Sequence, residues 1–560
     1  MNDGRSAEAA ARPPKKPRDL RLDFFRGLAM FIILMAHIPG NLWTLWIPAR
    51  FGFSDATEIF VFCSGFASAL AFGAVFQNRG FLLGTGRILY RIWQVYWCHI
   101  GIILVAATIA FSINHFGVGE EGRNYLARPY VVPIFNNTGE ALFGLLTLTY
   151  VPGLFDILPM YLVILALIPA VMAAHRYGGA QGVAVLVLGM WVAATFAGLA
   201  YIAERDGEEY GGLAAMLAPI GEPLTFLNLP SNPFGRGVWF FNPFSWQLVF
   251  FTGFAFAMGW LPRPPVNKWL IRAAAAFLIL SLPFAWYKLY AYLTGWWPEG
   301  LGGGFFWDTR ETLQPLWTKT WFGVFRYLHF LSLAYLAWVA VGEGGWRLRE
   351  GFSGRVYTAD TWRRLGYGAA GLALLTVPYG WVEEIHRLAP GLERALLVVV
   401  PTVDGKWIGL LQILHLVSLC TAIWAAMGPE RRRAALGPWF LRAVPVIRKV
   451  GTQSLAVFVV SIPLAVTLGW LLDLSDKSML PVAAANIGGG CVLIAVAYIV
   501  GWFRKQPWRG PAPAAAAGQG TDRGRTGNDA SGGTVAMKGG AVAAGGRDAQ
   551  PASAMAAPRR

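Results

Sequence analysis

The sequence predicts an all-α fold: a polytopic transmembrane helix bundle of about 10–12 spans with both termini cytoplasmic. Three observations carry this. Of 560 residues, 55% are hydrophobic and 14% are charged, far below the share of about 25% in soluble domains. Apolar runs long enough to cross a bilayer recur along the chain. Basic residues gather between alternate runs, while the other loops are longer, more acidic and more aromatic. The formal net charge of +16 therefore reflects topology, not a nucleic-acid partner, because its basic residues fall at helix ends and not in one patch.

Residues 1–19 form a basic, proline-rich cytoplasmic lead without a small-residue cleavage site after it, which reads as an uncleaved anchor. The first span covers residues 18–40, and a short outer loop carrying Trp43 and Trp46 follows. The second span, 54–76, opens with Ser54 as its expected N-cap; the third covers 87–112. Residues 141–148 are apolar but too short to cross, and read as interfacial or re-entrant.

The fourth and fifth spans are 155–174 and 183–203, followed by a polar outer loop at 204–244. The sixth and seventh are 244–260 and 269–293, and a Gly- and Trp-rich outer loop occupies 294–319. The remaining spans are 321–341, 366–382 (the least apolar), 408–427, 452–472 and 482–503. The membrane domain is thus 20–503, and 504–560 is an Ala/Gly/Pro-rich cytoplasmic tail expected to be disordered.

Inner segments hold Arg79 and Arg87, Arg176, Arg263 and Arg272, Arg347 and Arg364, and Arg431 and Lys449, so the positive-inside alternation holds through twelve spans. Cys63, Cys98, Cys420 and Cys491 all lie in apolar runs, without metal-ligand spacing, so neither a disulfide framework nor a metal site is expected. No glycine-rich phosphate loop and no inverted repeat appears.

The first span carries the chemistry. Asp23, Arg26 and His37 interrupt an otherwise apolar run, and ionisable groups inside a span mark function by default. Eleven residues separate Arg26 from His37, which returns them to within about 20° of one helix face and sets them about 16 Å apart in depth. Asp23 and Arg26 also fit a snorkelling i,i+3 pair, and His37 a histidine that bonds a neighbouring helix.

Asp55 and Glu58 open the second span, level with His37. They fit ordinary helix N-terminal acids, or carboxylates that orient the imidazole as in a His–Asp dyad. Arg87 and Arg91 stand i,i+4 at the inner rim beside Arg26, where three guanidiniums could clamp phosphates or simply anchor the topology. An anionic donor docked there could extend a thin arm to His37, and the pantetheine arm of coenzyme A has about the reach for that ~16 Å. Asp156, Trp246, Gln247, His329 and His415 are further polar residues in or beside apolar runs, able to line a cavity or to join helices; His99 reads as a bundle histidine.

Arg26 and His37 with ten residues between them resemble the Arg-X10-His signature of the integral-membrane acyltransferase-three superfamily, and Ser64–Gly65–Phe66 and the run RILYRI resemble its next landmarks. More narrowly, LDFFRG, HIPGN, FGFSDATEIFVFCSG, FDILPMY, FNPFSWQL and GTQSLAVF are similar to OpgC-type succinyltransferases of osmoregulated periplasmic glucans. The resemblance implies transfer of an acyl group, succinyl in that family, from cytoplasmic acyl-CoA to hydroxyls of a periplasmic glycan, in the bacterial inner membrane. It implies His37 as catalytic, and the position of Glu58 and Asp55 offers either carboxylate in support. It also implies Arg26, Arg87 and Arg91 near the donor, and Asp23, Ser64, Asn41, Asp156, Trp246, Gln247 and His329 join them as binding candidates on their own polar character. No tightly bound cofactor is expected; the partners are the bilayer, acyl-CoA and the glycan. A transporter or flippase of a glycan or anionic solute is the competing class, with Asp23, Arg26 and His37 as an ion relay.

Overall fold

The computed structural model describes residues 19–206, 213–286, 305–350, 359–380, 405–426 and 428–509. The expected N-terminal lead up to residue 18, the end of the seventh span with the 294–304 part of the loop after it, the end of the ninth span and almost all of the tail lie outside the described residues. The chain divides into two units, Met1–Lys505 and Gln506–Arg560. Among the described residues the secondary structure is helical, apart from one isolated bridge between Pro230 and Val238.

Helix α1 (Leu20–His37) starts because Asp19 accepts from the Arg21 amide, and its guanidinium closes the same cap at 2.7 Å. Helix α2 (Ala56–Ser68) runs back the other way, passes through a π-helical turn at Ala69–Gly73 and ends at Arg79. Helix α3 (Phe81–His115) returns. The next element, Ile157–Asp206 (α4), is broken at Gly179, whose φ of 60° no ordinary helix residue adopts. A Cβ on Gly182 would lie 2.8 Å from the Ala174 oxygen, a proximity that requires the chain to reverse. The fourth and fifth spans are therefore the two arms of this hairpin.

Helix α5 (Pro243–Met258) is capped by Asn242 and buried along nearly its whole length. Its sixteen residues span about 24 Å, less than the hydrocarbon thickness of about 30 Å. It is apolar all round because protein surrounds it. Helices α6 (Lys268–Ala285), α7 (Val324–Val341), α8 (Ala359–Gly380), α9 (Gly405–Ala426), α10 (Gly428–Thr452), α11 (Ser454–Asp473) and α12 (Met479–Lys505) follow, and shorter helices lie at Thr138–Thr147 and, within the expected outer loops, at Leu213–Gly221 and Phe305–Thr312.

Seven described helices are long and apolar enough to cross a membrane. The difference from ten to twelve has local causes. Helix α1 carries Arg21, Asp23 and Arg26, α4 holds two arms in one element, and α5 falls short in length. The basic stretch 428–452, read as an inner loop, is a helix of its own.

Glycines set the two closest crossings. A Cβ on Gly65 would strike the Phe250 carbonyl and one on Gly253 that of Phe62, so α2 and α5 touch backbone to backbone. Gly27 and Gly451 do the same for α1 and α10, against Ile447 and Asp23. The core lies where α2, α3, α4 and α5 meet, filled by Phe60, Ile103, Leu165, Trp246 and Phe250. The bundle thus has an Arg26 end and a His37 end, and Leu20 and Lys505 both lie at the former, where Lys449 reaches Gly501.

Candidate active site

His37 closes α1, half-buried. Its Nδ1 lies 2.7 Å from the Ile33 carbonyl oxygen. A carbonyl only accepts, so Nδ1 carries the proton, and in the neutral ring Nε2 keeps its lone pair. Asp55 and Lys319 both lie within electrostatic reach of the ring. Beyond it the chain turns through Ile38, Pro39 and Gly40 into a groove of about 500 Å³ lined from Ala36 to Arg50, with the Trp43 and Trp46 rings exposed nearby.

Below this end sits a buried ionic network. Asp55, not Ser54, is the N-cap of α2. It accepts from the Thr57 amide at 2.7 Å, while Glu58 reaches back to the Asp55 amide at 2.8 Å, a capping box. The remaining carboxylate oxygens face cations. Lys319 donates to Asp55 at 2.6 Å, Arg326 donates to Asp55 at 3.0 Å, and the Arg326 Nε donates to Glu58. Glu58 and Arg326 are almost wholly buried, where a charge is tolerable only when paired. Ser54 hydrogen-bonds the His329 Nδ1 at 2.7 Å, and Gly52 lies so close to that ring that a Cβ would collide with it.

Lys319 is aimed by its backbone. The Trp246 indole donates to the Lys319 carbonyl at 2.9 Å, the Asn242 amide to Thr320 at 3.1 Å and the Trp191 indole to Phe322 at 3.0 Å. The ammonium lies over the Phe240 and Phe241 rings, at 5.8 and 5.4 Å. Trp246 thus acts on this turn and not as an open wall. Gln247 donates to the Val187 carbonyl at 2.7 Å and joins α5 to α4. Asp156 is buried, its carboxylate turned toward the Phe155 and Asp156 amides and within electrostatic reach of Lys319.

The sequence-predicted residues divide between the two ends. His37, Asp55, Glu58, Asp156, Trp246 and His329 gather at the His37 end. Neither carboxylate bonds the imidazole; the Ile33 carbonyl orients it, and Asp55 and Glu58 serve the cap and the cations. Asn41 exchanges amide hydrogen bonds with Asn486, at 2.9 and 2.8 Å, and so ties the end of α1 to α12. Ser64 is buried at the α2–α5 crossing.

At the other end, Arg26 donates to Ser454, and Asp23 is buried beside Gly451. Arg87 is exposed over the Phe72 ring at 5.9 Å, and Arg91 bonds Gln94 on its own helix at 3.2 Å. His99 is buried with both ring nitrogens unpartnered.

Lys319, Arg326 and the pairing role of Ser54 are absent from the sequence reading. Arg326 had a signal: it stands three residues before His329 in an apolar run, an intramembrane charge of the kind that singled out Arg26. Lys319 had none, because its importance comes from the fold of its turn. Among the described residues no group of three or more His, Cys, Asp or Glu side chains could hold a metal ion.

These features define a multi-pass membrane protein with a buried ionic site beneath one end of its bundle. The chain matches the family model described as OpgC protein over residues 18–359 and 354–505, and it belongs to that family. Membership suggests a membrane acyltransferase acting on periplasmic glucans. Neither the curated proteins nor the solved structures that were compared contain a match.

Proposed function

We propose that this protein transfers a succinyl group from succinyl-CoA to hydroxyls of an osmoregulated periplasmic glucan, in the bacterial inner membrane, with both termini in the cytoplasm. Arg26, with Arg87 and Arg91 along α3, meets the donor's phosphates, and the pantetheine arm covers the ~16 Å of depth to His37. The acceptor enters over the groove of residues 36–50, where exposed Trp43 and Trp46 suit sugar rings.

One observation carries the reading: Nδ1–H of His37 is held by the Ile33 carbonyl, which leaves Nε2 as a base at the end of a helix. Nε2 takes the proton of an acceptor hydroxyl as that oxygen attacks the thioester carbonyl. The tetrahedral adduct collapses with cleavage of the C–S bond. The imidazolium then protonates the departing thiolate, giving ester and CoA thiol. Asp55 within electrostatic reach supports the transient imidazolium, and the Lys319 ammonium favours the oxyanion.

The test is turnover by purified protein in liposomes, read by mass spectrometry of the glucan. His37→Ala should abolish ester formation, a loss of at least 10²–10⁴-fold for a general base, while insertion and melting temperature persist. Wild-type product yield from that variant would remove His37 from the chemistry.

A further inference from the structure

The GTQSLAVF stretch at residues 451–458 has no role in the reading above, yet its first four residues sit against the entry of α1 into the bundle. Gly451 packs on the Asp23 carbonyl oxygen without room for a Cβ, as Gly27 packs on that of Ile447. This double contact seats the end of α10 on the Asp23–Gly27 turn and sets the Ser454 hydroxyl to accept from Arg26. Gln453 breaks the helix between α10 and α11, at φ −112° and ψ 24°. It is 9% exposed, and its Nε2 lies 3.7 Å from where a Cβ of Gly501 on α12 would stand.

The Gln453 Oε1 is buried without a hydrogen-bond partner. An amide oxygen only accepts, so it calls for an N–H or O–H from something else. Cations surround this place in the chain. Arg448 has a buried Nε without an acceptor, and Lys449 lies 5.5 Å over the Tyr498 ring. Arg26 stands one residue away through Ser454, and Arg504 and Lys505 end α12. An orphaned acceptor among cations suits an anion that also carries an N–H or O–H donor. An acyl chain lacks both, and hydrogen phosphate, which offers an O–H, would not make the KM for a phosphate-free donor depend on Gln453.

We infer that Gln453 receives an amide N–H of the pantetheine arm of a CoA thioester, with the Arg448 guanidinium on a phosphate oxygen of the same molecule and Ser454 holding Arg26 in position beside it. This rests on the donor reading above. An aminophospholipid headgroup offers the same pair of groups, phosphate and N–H, and the experiment separates the two sources.

The decisive variant is Gln453→Met, which removes the acceptor and keeps side-chain length. Its KM for succinyl-CoA should rise about tenfold, as for one lost hydrogen bond, with kcat and the acceptor KM unchanged. Succinyl-pantetheine, which lacks the nucleotide, should show the same rise. Arg448→Gln should raise KM for succinyl-CoA alone. In lipid-depleted detergent, CoA should raise the melting temperature of the wild type, and Gln453→Met should need about tenfold more CoA for the same rise, a readout that survives loss of turnover. Wild-type KM of Gln453→Met for both donors overturns the inference, as does a melting shift produced by aminophospholipid and not by CoA. A wild type that turns over no CoA thioester is a different failure: it refutes the donor reading and takes this inference with it.

Discussion

Arg326 is the residue on which the His37 end depends most. Its guanidinium faces two carboxylates from one helix turn, Asp55 and Glu58, and both it and Glu58 are excluded from solvent. Removing one member of a buried pair leaves the others charged and uncompensated, which costs about 3–5 kcal/mol. Arg326→Met should therefore lower the melting temperature of the purified protein sharply. Lys319→Met should do so less, because Lys319 is partly exposed and Asp55 keeps Arg326. A melt for Arg326→Met within error of wild type would show that this network is not structural. The same residue marks the limit of what the sequence displays. His37, Asp55 and Glu58 were legible, since charge inside an apolar run is visible without a structure. Their partners were not, because Lys319 and Arg326 lie more than 260 positions away and the pairing is made by packing alone.

At the scale of elements, the apolar runs announced nearly every long apolar helix, because length and hydropathy are local properties. Contacts between helices were hidden. Gly65 lies in a stretch that reads as a family landmark, yet its physical task appears only where α5 crosses α2. There, Gly65 and Gly253 each lie under the other helix's carbonyl. Gly451 does the same for α10 against α1. Whether a segment between apolar runs is a loop or a helix is equally invisible to hydropathy, as 428–452, Leu213–Gly221 and Phe305–Thr312 show. Overpacking such a contact costs typically 1–3 kcal/mol, and more where backbone cannot yield. Gly65→Leu should thus destabilise the bundle by at least that amount, while Gly86→Leu on α3, where a Cβ meets nothing within 4 Å, should be nearly neutral. Equal melting temperatures for the two variants in detergent would dismiss the close crossing.

Over the whole molecule, the helices run between two chemically different ends. The Arg26 end collects Arg448, Lys449, Arg504 and Lys505, while the His37 end carries the groove and exposed tryptophans. An enzyme whose donor and acceptor are kept in different compartments needs such a division, because one thioester must be reached from one side and one hydroxyl from the other. The proposed topology, drawn from the positive-inside bias of the sequence, puts the Arg26 end in the cytoplasm. It follows that sealed vesicles in their native orientation should esterify external glucan only when succinyl-CoA is loaded inside. Both substrates supplied outside should give no product, and both trapped inside should give none either. A purely cytoplasmic transferase would modify internal acceptor, and an exporter would move finished ester without releasing CoA thiol, so assay of thiol inside and ester outside separates all three. Product formed from external donor and external acceptor, with nothing inside, would defeat the transmembrane mechanism even if His37→Ala were inactive, because the two ends of the bundle would then have no separate work to do.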